Sequence, residues 1–360
     1  MSRNKRSGPG IKSGKPVKNQ SPGQGKTEKP GRAAGQTPGD YVEGILSGKR
    51  AALSRAITLV ESTLRKDGEL AQEIIARCLP RAGKSIRIGV TGVPGVGKST
   101  FIEAFGLYLT RKLKKTVAVL AIDPTSELSK GSILGDKIRM DELSQDPNAF
   151  IRPSPSSGSL GGVAKNTRET IILCEAAGFN TIIVETVGVG QSETSVRSMV
   201  DFFLLLMLAG AGAELQGIKR GIMEMADAVA ITKSDGTNRE RALFAKNDFQ
   251  NALQLYPPQE GGWIPPVTAC SSINNEGIEE IWGIITEHRR LMEESGQFEK
   301  KRRGQAVKWM HETVLSEMKG SFYSNEKIRK VLPGIEKEVA EGRMSPFSAG
   351  QELLGLYFGK

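Results

Sequence analysis

The segment GVPGVGKS, residues 92–99, is the feature that most restricts how this chain can fold. An apolar segment precedes it and a segment with helical spacing follows it, so it joins a strand to a helix. Its glycines let the backbone turn until several N–H groups point inward, where the positive end of the helix adds to them. This favours a phosphate-binding loop. The alternative is an ordinary glycine-rich turn.

We predict that nine consecutive residues contact a nucleotide here: Gly92, Val93, Pro94, Gly95, Val96, Gly97, Lys98, Ser99 and Thr100. The lysine can reach the β- and γ-phosphates, and the serine hydroxyl suits Mg²⁺.

Apolar segments with strand character recur along the chain, at residues 85–92, 116–123, 180–186, 201–208, 227–235 and 265–272. They are apolar on both faces and alternate with helical stretches, which predicts a parallel sheet covered on two sides. The expected fold class is α/β: a P-loop NTPase with a mostly parallel central sheet flanked by helices, plus N-terminal and C-terminal helical extensions.

The composition divides the chain into four regions. We predict a disordered basic tail over residues 1–39, a helical extension over 40–84, a P-loop GTPase domain over 85–290 and a C-terminal helical dimerisation arm over 291–360. The stretch from residue 279 to residue 318 has the pattern of one long helix or a broken pair, and the last stretch, from residue 327 on, predicts two short helices separated at GRMSP.

The tetrapeptide TKSD, residues 232–235, follows the fifth apolar segment. A carboxylate at Asp235 can accept from both N1–H and the 2-amino group of guanine, a donor pair that adenine lacks. Lys233 would cover the base with its aliphatic stem. The usual GTPase motif begins with Asn, whereas here Thr232 offers a hydroxyl. A plain turn at the end of a strand is the alternative.

Acidic residues at the ends of other strands suggest a metal site. Asp123 ends the second segment, Glu185 ends the third, and Asp136 lies in a loop between them. Together with Ser99 they would supply the hard oxygen ligands that Mg²⁺ prefers. For Asp123 the alternative is a turn before Pro124.

The glycine-rich stretch ETVGVGQSE, residues 185–193, follows the third segment. The N–H of Gly188 can contact a γ-phosphate, and the glycines around it would let the loop move when that phosphate leaves. A plain glycine-rich connection fits the same pattern.

The formal net charge is +10, but residues 1–27 hold seven Lys or Arg and no Asp or Glu, so the remainder is close to neutral. A basic tail without interleaved aromatics favours a disordered arm over specific nucleic-acid recognition. Its Gly and Pro content also opposes a mitochondrial presequence, so we expect a cytoplasmic protein. No apolar run is long enough to span a membrane, and three scattered Cys with two His leave little material for a His/Cys metal cluster.

Longer blocks carry a resemblance to one family: GVTGVPGVGKST, AIDPTS, GSILGDKIRM, RPSPSSGSLGGVA, ETVGVGQSE, ELQGIKRGIMEMAD, TKSDG and KRRGQAVKWM. From about residue 39 to its end, the chain resembles the MeaB/ArgK/MMAA-type GTPases. These are P-loop chaperones of adenosylcobalamin-dependent acyl-CoA mutases, chiefly methylmalonyl-CoA mutase.

The resemblance implies GTP and GDP as ligands, a slow GTPase stimulated by its partner, a mutase as that partner, and a homodimer. It also implies that Thr232, Lys233 and Asp235 hold guanine, that the three acidic residues named above surround Mg²⁺ and its waters, and that the catalytic residues are Lys98, Asp136 and Lys219.

One departure from the family pattern is that Ala209 and Ala213 stand where Pro and Asp are usual. This puts in question how the loop after the fourth segment reports the nucleotide state. Alternatives to the chaperone are a nickel-insertion metallochaperone GTPase, a transport-linked ATPase or kinase, and a nucleic-acid-binding protein.

Overall fold

The apolar segments lie side by side in one sheet of seven strands, in the order β3-β2-β4-β1-β5-β6-β7, and every pairing is parallel. The computed structural model describes residues 36–122, 140–154, 160–186, 192–210 and 220–359. The strands are β1 Ile86–Gly92, β2 Val117–Ile122, β3 Ala149–Ser154, β4 Thr181–Thr186, β5 Phe202–Leu208, β6 Ala228–Thr232 and β7 Val267–Ala269. The predicted α/β fold with a parallel sheet is confirmed.

Helices connect and follow the strands. They are α1 Pro38–Leu46, α2 Arg50–Val60, α3 Arg65–Cys78, α4 Lys98–Leu107, α5 Asp141–Gln145, α6 Leu160–Ala176, α7 Ser192–Arg197, α8 Arg220–Met225, α9 Arg239–Leu253, α10 Ile278–Glu294, α11 Gln297–Ser324, α12 Glu326–Ala340 and α13 Pro346–Phe358. Among the helices of the described ranges, none is both long enough and apolar enough to cross a bilayer.

The sequence analysis missed edge strand β3. Its sequence, AFIRPS, has only three apolar residues in a row before Arg152 and Pro153. Proline cannot donate a hydrogen bond to a sheet, so it is tolerated at an edge. The strand pairs with β2 alone, at the end of the sheet.

The first helix begins earlier than predicted. The boundary between tail and helices was placed after Gly39, but α1 starts at Pro38. Thr37 caps it: the threonine hydroxyl accepts from the N–H of Asp40, and the Asp40 carboxylate accepts from the N–H of Thr37 at 2.7 Å. This capping box, with proline in the first turn, fixes the start of the helix. The rest of the predicted tail, residues 1–35, lies outside the described residues.

The sheet is covered on both faces. On one face, α1–α3 and α6 pack against residues that include Ile182 of β4. On the other, α4 and α10 pack against residues that include Ile183, because neighbouring side chains of a strand point to opposite faces. Helix α9 packs with β6 and β7. The N-terminal helices therefore share the core of the sheet.

The C-terminal segment is a broken pair of helices followed by two shorter ones. Helix α10 runs through the boundary predicted at residue 290 and ends at Glu294, and Gly296, with φ of 69°, caps the start of α11. Only glycine takes up such a left-handed conformation without strain. The two last helices are separated within GRMSP, as predicted.

A buried ion pair anchors α11 to the amino end of the sheet. Arg302 donates to both carboxylate oxygens of Asp201, at 2.9 and 2.7 Å, and the N–H of Arg87 donates to the same carboxylate at 2.8 Å. Burial acts to raise the pKa of Asp201, but the hydrogen bonds and charge of Arg302 outweigh it and hold that pKa below its usual value. The pair thus holds the start of α11 against Asp201, the residue before β5, which is also bonded to Arg87 of β1.

We predict that Arg302→Met lowers the free energy of unfolding by about 3–5 kcal/mol, because it leaves a buried carboxylate without its cation. Urea unfolding followed by circular dichroism measures this. The control is Arg343→Met, which breaks an ion pair with Glu338 at an exposed site and should leave the midpoint unchanged. Equal effects of the two substitutions would contradict the anchoring role.

Candidate nucleotide-binding site

The glycine-rich loop joins β1 to α4 at the carboxyl edge of the sheet. Gly95 and Gly97 have φ of 80° and 94°, and Gly92 lies so close to β5 that an added Cβ would stand 2.5 Å from the Leu206 carbonyl oxygen. No side chain of the described residues caps the start of α4. The first N–H groups of this helix are therefore available to an anion.

Lys98 folds back over the loop. Its ammonium group donates to the carbonyl oxygens of Gly92 at 2.7 Å and Val93 at 3.2 Å. Burial lowers the pKa of Lys98, and the negative charges of Glu185 and Glu193 act in the opposite direction. Its position inside the loop suits a group that neutralises phosphate charge.

Two of the four predicted magnesium ligands lie together. The Ser99 hydroxyl donates to a carboxylate oxygen of Glu185 at 3.3 Å, joining the start of α4 to the end of β4. Both are hard oxygen donors and fit the preference of Mg²⁺. Asp123 and Asp136 lie in residues 123–139, outside the described residues. Within the described ranges, no group of three or more His, Cys, Asp or Glu residues has a metal-binding arrangement.

The TKSD loop is braced against the phosphate loop by two hydrogen bonds. The Thr232 hydroxyl donates to the Val96 carbonyl at 2.7 Å, with the Met207 carbonyl 3.2 Å away, and the Lys233 ammonium donates to the Gly95 carbonyl at 2.9 Å. Lys233 has φ of 56°, so the chain turns sharply there. A hydroxyl at position 232 is thus sufficient to hold the two loops together.

Asp235 is oriented by a residue that the sequence analysis did not single out. The Ser271 hydroxyl donates to one Asp235 carboxylate oxygen at 2.6 Å. A carboxylate oxygen can accept more than one hydrogen bond, so both oxygens remain available to a base. Ser271 follows β7 at the carboxyl edge, and that position is the signal that would have identified it.

A pair of buried hydroxyls ties the central strands together beside the site. Thr186, at the end of β4, donates to Thr91, near the end of β1, at 2.8 Å. Sequence analysis missed this pair too, since a single threonine in a strand carries no signal. Gly188 and Lys219, predicted to contact or sense the γ-phosphate, lie in residues 187–191 and 211–219, outside the described residues.

Comparison with known proteins identifies relatives of the whole fold. The family profile described as "Methylmalonyl Co-A mutase-associated GTPase MeaB" matches residues 53–327. A protein of Mycobacterium tuberculosis named Probable GTPase Rv1496 is 48% identical over 319 residues, which are 88% of this chain and 95% of that protein. The mouse Methylmalonic aciduria type A homolog, mitochondrial, is 46% identical over 86% of this chain and 77% of its own length.

A solved structure has the same architecture. The crystal structure of a LAO/AO transport system kinase is 36% identical, covers 89% of this chain and 97% of its own, and superposes with a TM-score of 0.71. The family profile spans well over half of the chain, and the relatives cover most of it. The chain therefore belongs to the MeaB family of methylmalonyl-CoA mutase-associated GTPases.

Proposed function

We propose that this protein binds GTP, hydrolyses it slowly, and acts as a chaperone that protects, loads or reactivates an adenosylcobalamin-dependent acyl-CoA mutase of the methylmalonyl-CoA type. The observation that carries the nucleotide part is the pair of braces from Thr232 and Lys233 to the phosphate loop. They bring a carboxylate suited to guanine to the edge of the sheet that holds Lys98. The family and the names of its members support the mutase part.

Hydrolysis in this proposal is in-line attack of water on the γ-phosphate, without a covalent intermediate. The loop N–H groups and Lys98 hold the phosphates, and Ser99 and Glu185 hold Mg²⁺, with Asp123 and Asp136 as further proposed ligands. When bound, Mg²⁺ neutralises charge that develops on the phosphate oxygens. Asp136 and Lys219 are proposed catalytic residues. Because these roles are positioning and charge neutralisation, we propose that turnover is low without the partner.

A chaperone that uses GTP must hold its client differently in the GTP and GDP states, because equal affinity shifts no equilibrium. We propose residues 208–220 as the segment that relays this difference, with Lys219 sensing the γ-phosphate. Ala213 lacks the carboxylate usual in the family, so we propose weaker coupling to the client than in relatives that carry it.

The arm also supports a homodimer. Helix α11 carries Val307, Met310, Val314 and Met318 along one side, and each is at least half exposed. Their spacing of three and four residues places them on a single helical face, opposite the side that docks on the sheet. An apolar face of this length is unfavourable in water, and a second copy of the chain would bury it.

Two alternative functions are less well supported. Nickel insertion needs metal ligands, but burial raises the pKa of the Cys78 and Cys270 thiols, the latter to about 12, and thiols held neutral bind metals poorly. A kinase, as the solved relative is named, would transfer phosphate to an acceptor instead of releasing it. To distinguish a GTPase from a kinase, the protein is incubated with labelled GTP, and the label released as free phosphate is compared with the label transferred to protein.

For guanine recognition, we predict that Asp235→Asn weakens GTP binding roughly ten- to a hundredfold, because an amide donor faces a donor of the base. Binding of xanthosine triphosphate should improve, since xanthine offers an acceptor there. Fluorescent-nucleotide titration measures both. Asp248→Asn, at an exposed carboxylate of α9, is the control and should bind GTP like the parent. Unchanged GTP affinity in Asp235→Asn would refute the assignment.

For the dimer, we predict that Val314→Glu yields monomers, because a charge in an apolar interface loses its solvation. Light scattering at several concentrations measures the mass. Leu255→Glu, an identical type of change at an apolar residue that is 86% exposed on another surface, is the control. A monomeric parent protein would overturn the dimer, and a dimeric Val314→Glu variant would place the interface elsewhere.

For the client, we predict that a cognate adenosylcobalamin-dependent mutase raises the GTP hydrolysis rate about fivefold or more, the range of ordinary coupling between sites. Phosphate release with and without the mutase measures this. Ala213→Asp should increase the stimulation, since it restores the missing carboxylate.

A pull-down with GDP and with a non-hydrolysable GTP analogue is the control for binding. Complex formation without any stimulation, in the parent and in Ala213→Asp alike, would remove the coupled-chaperone mechanism.

A further inference from the structure

Helix α7 begins beside the nucleotide site. Its first residue, Ser192, directly follows residues 187–191, which contain the proposed phosphate contact Gly188. Glu193, in its first turn, is only 2% exposed.

The segment from α7 to β5 packs against β1, the strand that leads into the phosphate loop. A Cβ added to Gly89 of β1 would stand 2.9 Å from the side chain of Val196 and 3.1 Å from that of Val200. Both valines are fully buried. There is no free space between Gly89 and these valines, so a shift of β1 at this point would press on α7.

The carboxyl end of α7 is held by the arm and by α6. The Ser198 hydroxyl accepts from the Arg168 guanidinium at 3.2 Å, and the Ser198 carbonyl accepts from the indole N–H of Trp309 at 3.1 Å. The guanidinium carbon of Arg168 lies 5.1 Å from the centre of the Trp309 ring. Arg168 also forms an ion pair with Glu312 of α11 at 2.5 Å. One serine, one arginine of α6, and one tryptophan and one glutamate of α11 therefore form a joint.

Beside this joint there is space for its side chains to take up a second arrangement. A cavity of about 320 Å³ opens beside it between α6, α7 and α11, and Arg168 and Ser198 line it. The Nε–H of Arg168 is buried and has no acceptor among the described residues. A buried donor without an acceptor is unfavourable, so an arrangement that supplies an acceptor would remove that cost.

We propose that Arg168 is a positioning residue for GTP hydrolysis and that, by clamping Ser198 to Trp309, it couples the nucleotide state to the C-terminal arm through α7. This inference rests on the proposed GTPase function and specifies its regulation. Arg168 is not among the residues proposed to contact the nucleotide. The indole of Trp309 is the built-in reporter, because its N–H bonds to the end of the moving helix.

The experiment uses the full chain labelled with 5-fluorotryptophan. It contains Trp263, Trp282 and Trp309, so its ¹⁹F spectrum has three signals, and Trp309→Phe assigns the one of interest. Spectra with GDP and with a non-hydrolysable GTP analogue, each with Mg²⁺, are compared. Nucleotide affinity is measured separately with a fluorescent nucleotide, and hydrolysis by phosphate release.

We expect the Trp309 signal of the parent to differ between the two nucleotides. In Arg168→Met that difference should vanish, and kcat should fall roughly three- to tenfold while the KM for GTP changes much less, as for coupling carried by residues away from the ligand. Ser198→Ala, a smaller change that leaves the fold intact if Arg168→Met does not, should act in the same direction.

The matched control is Glu317→Gln, which breaks the 2.9 Å ion pair of Lys165 between the same two helices without touching α7. It should behave like the parent. A Trp309 signal that is identical in both nucleotide states, with tight binding of both, overturns the coupling alone. So does an Arg168→Met variant that keeps both the shift and the parent kcat. Absence of any guanine-nucleotide binding by the parent overturns the proposed function and the coupling together.

Discussion

The hydrogen bond from the Thr232 hydroxyl to the Val96 carbonyl joins the two loops on which the rest of the site depends. The acceptor belongs to the phosphate loop and the donor to the end of β6, and both are buried. β6 is separated from β1 by β5 in the sheet, so the strands alone do not fix this distance. A buried bond between neutral groups is directional and costly to break, and here it holds the segment that carries Asp235 at a fixed distance from the phosphate-loop backbone.

The sequence predicts the features that a local pattern marks, but not the contacts between residues that lie far apart along the chain. Six strands, the phosphate loop and the position of Asp235 follow from local pattern, since glycine, lysine and carboxylate residues at strand ends carry their own meaning. Edge strand β3 escapes because Arg152 and Pro153 interrupt its apolar run. The brace to Val96 joins residues 136 positions apart, and nothing local marks such a partner. The Ser271 bond to Asp235 spans 36 positions, and only the place of Ser271 after β7, at the carboxyl edge, marks it.

The polar groups at the two edges of the sheet have different roles. At the carboxyl edge, backbone N–H groups and side chains must remain available to a ligand, so the loops there are held by a few bonds. At the amino edge, Asp201 and Arg302 are committed to each other. The KRRGQAVKWM block, one of those on which the family resemblance rests, supplies this amino-edge contact through Arg302 and the contact with α7 through Trp309. Its residues are therefore explained by docking of the arm, not by contact with nucleotide.

Helix α7 packs against β1, which leads into the phosphate loop, and at its carboxyl end Ser198 bonds to Trp309 of the arm. Its seat against Gly89 requires glycine in β1, because any side chain there would collide with Phe203 and Val196. The second segment proposed to respond to nucleotide, residues 208–220, contains Ala209, whose side chain packs against the core around β5, β6 and α9. Alanine leaves the backbone more freedom than the proline usual there, and Ala213 removes a charge. We propose that these two residues weaken that route. The path through α7 depends on Gly89, Ser198 and Trp309 and uses neither alanine, so it is the route by which we infer that coupling persists in this chain.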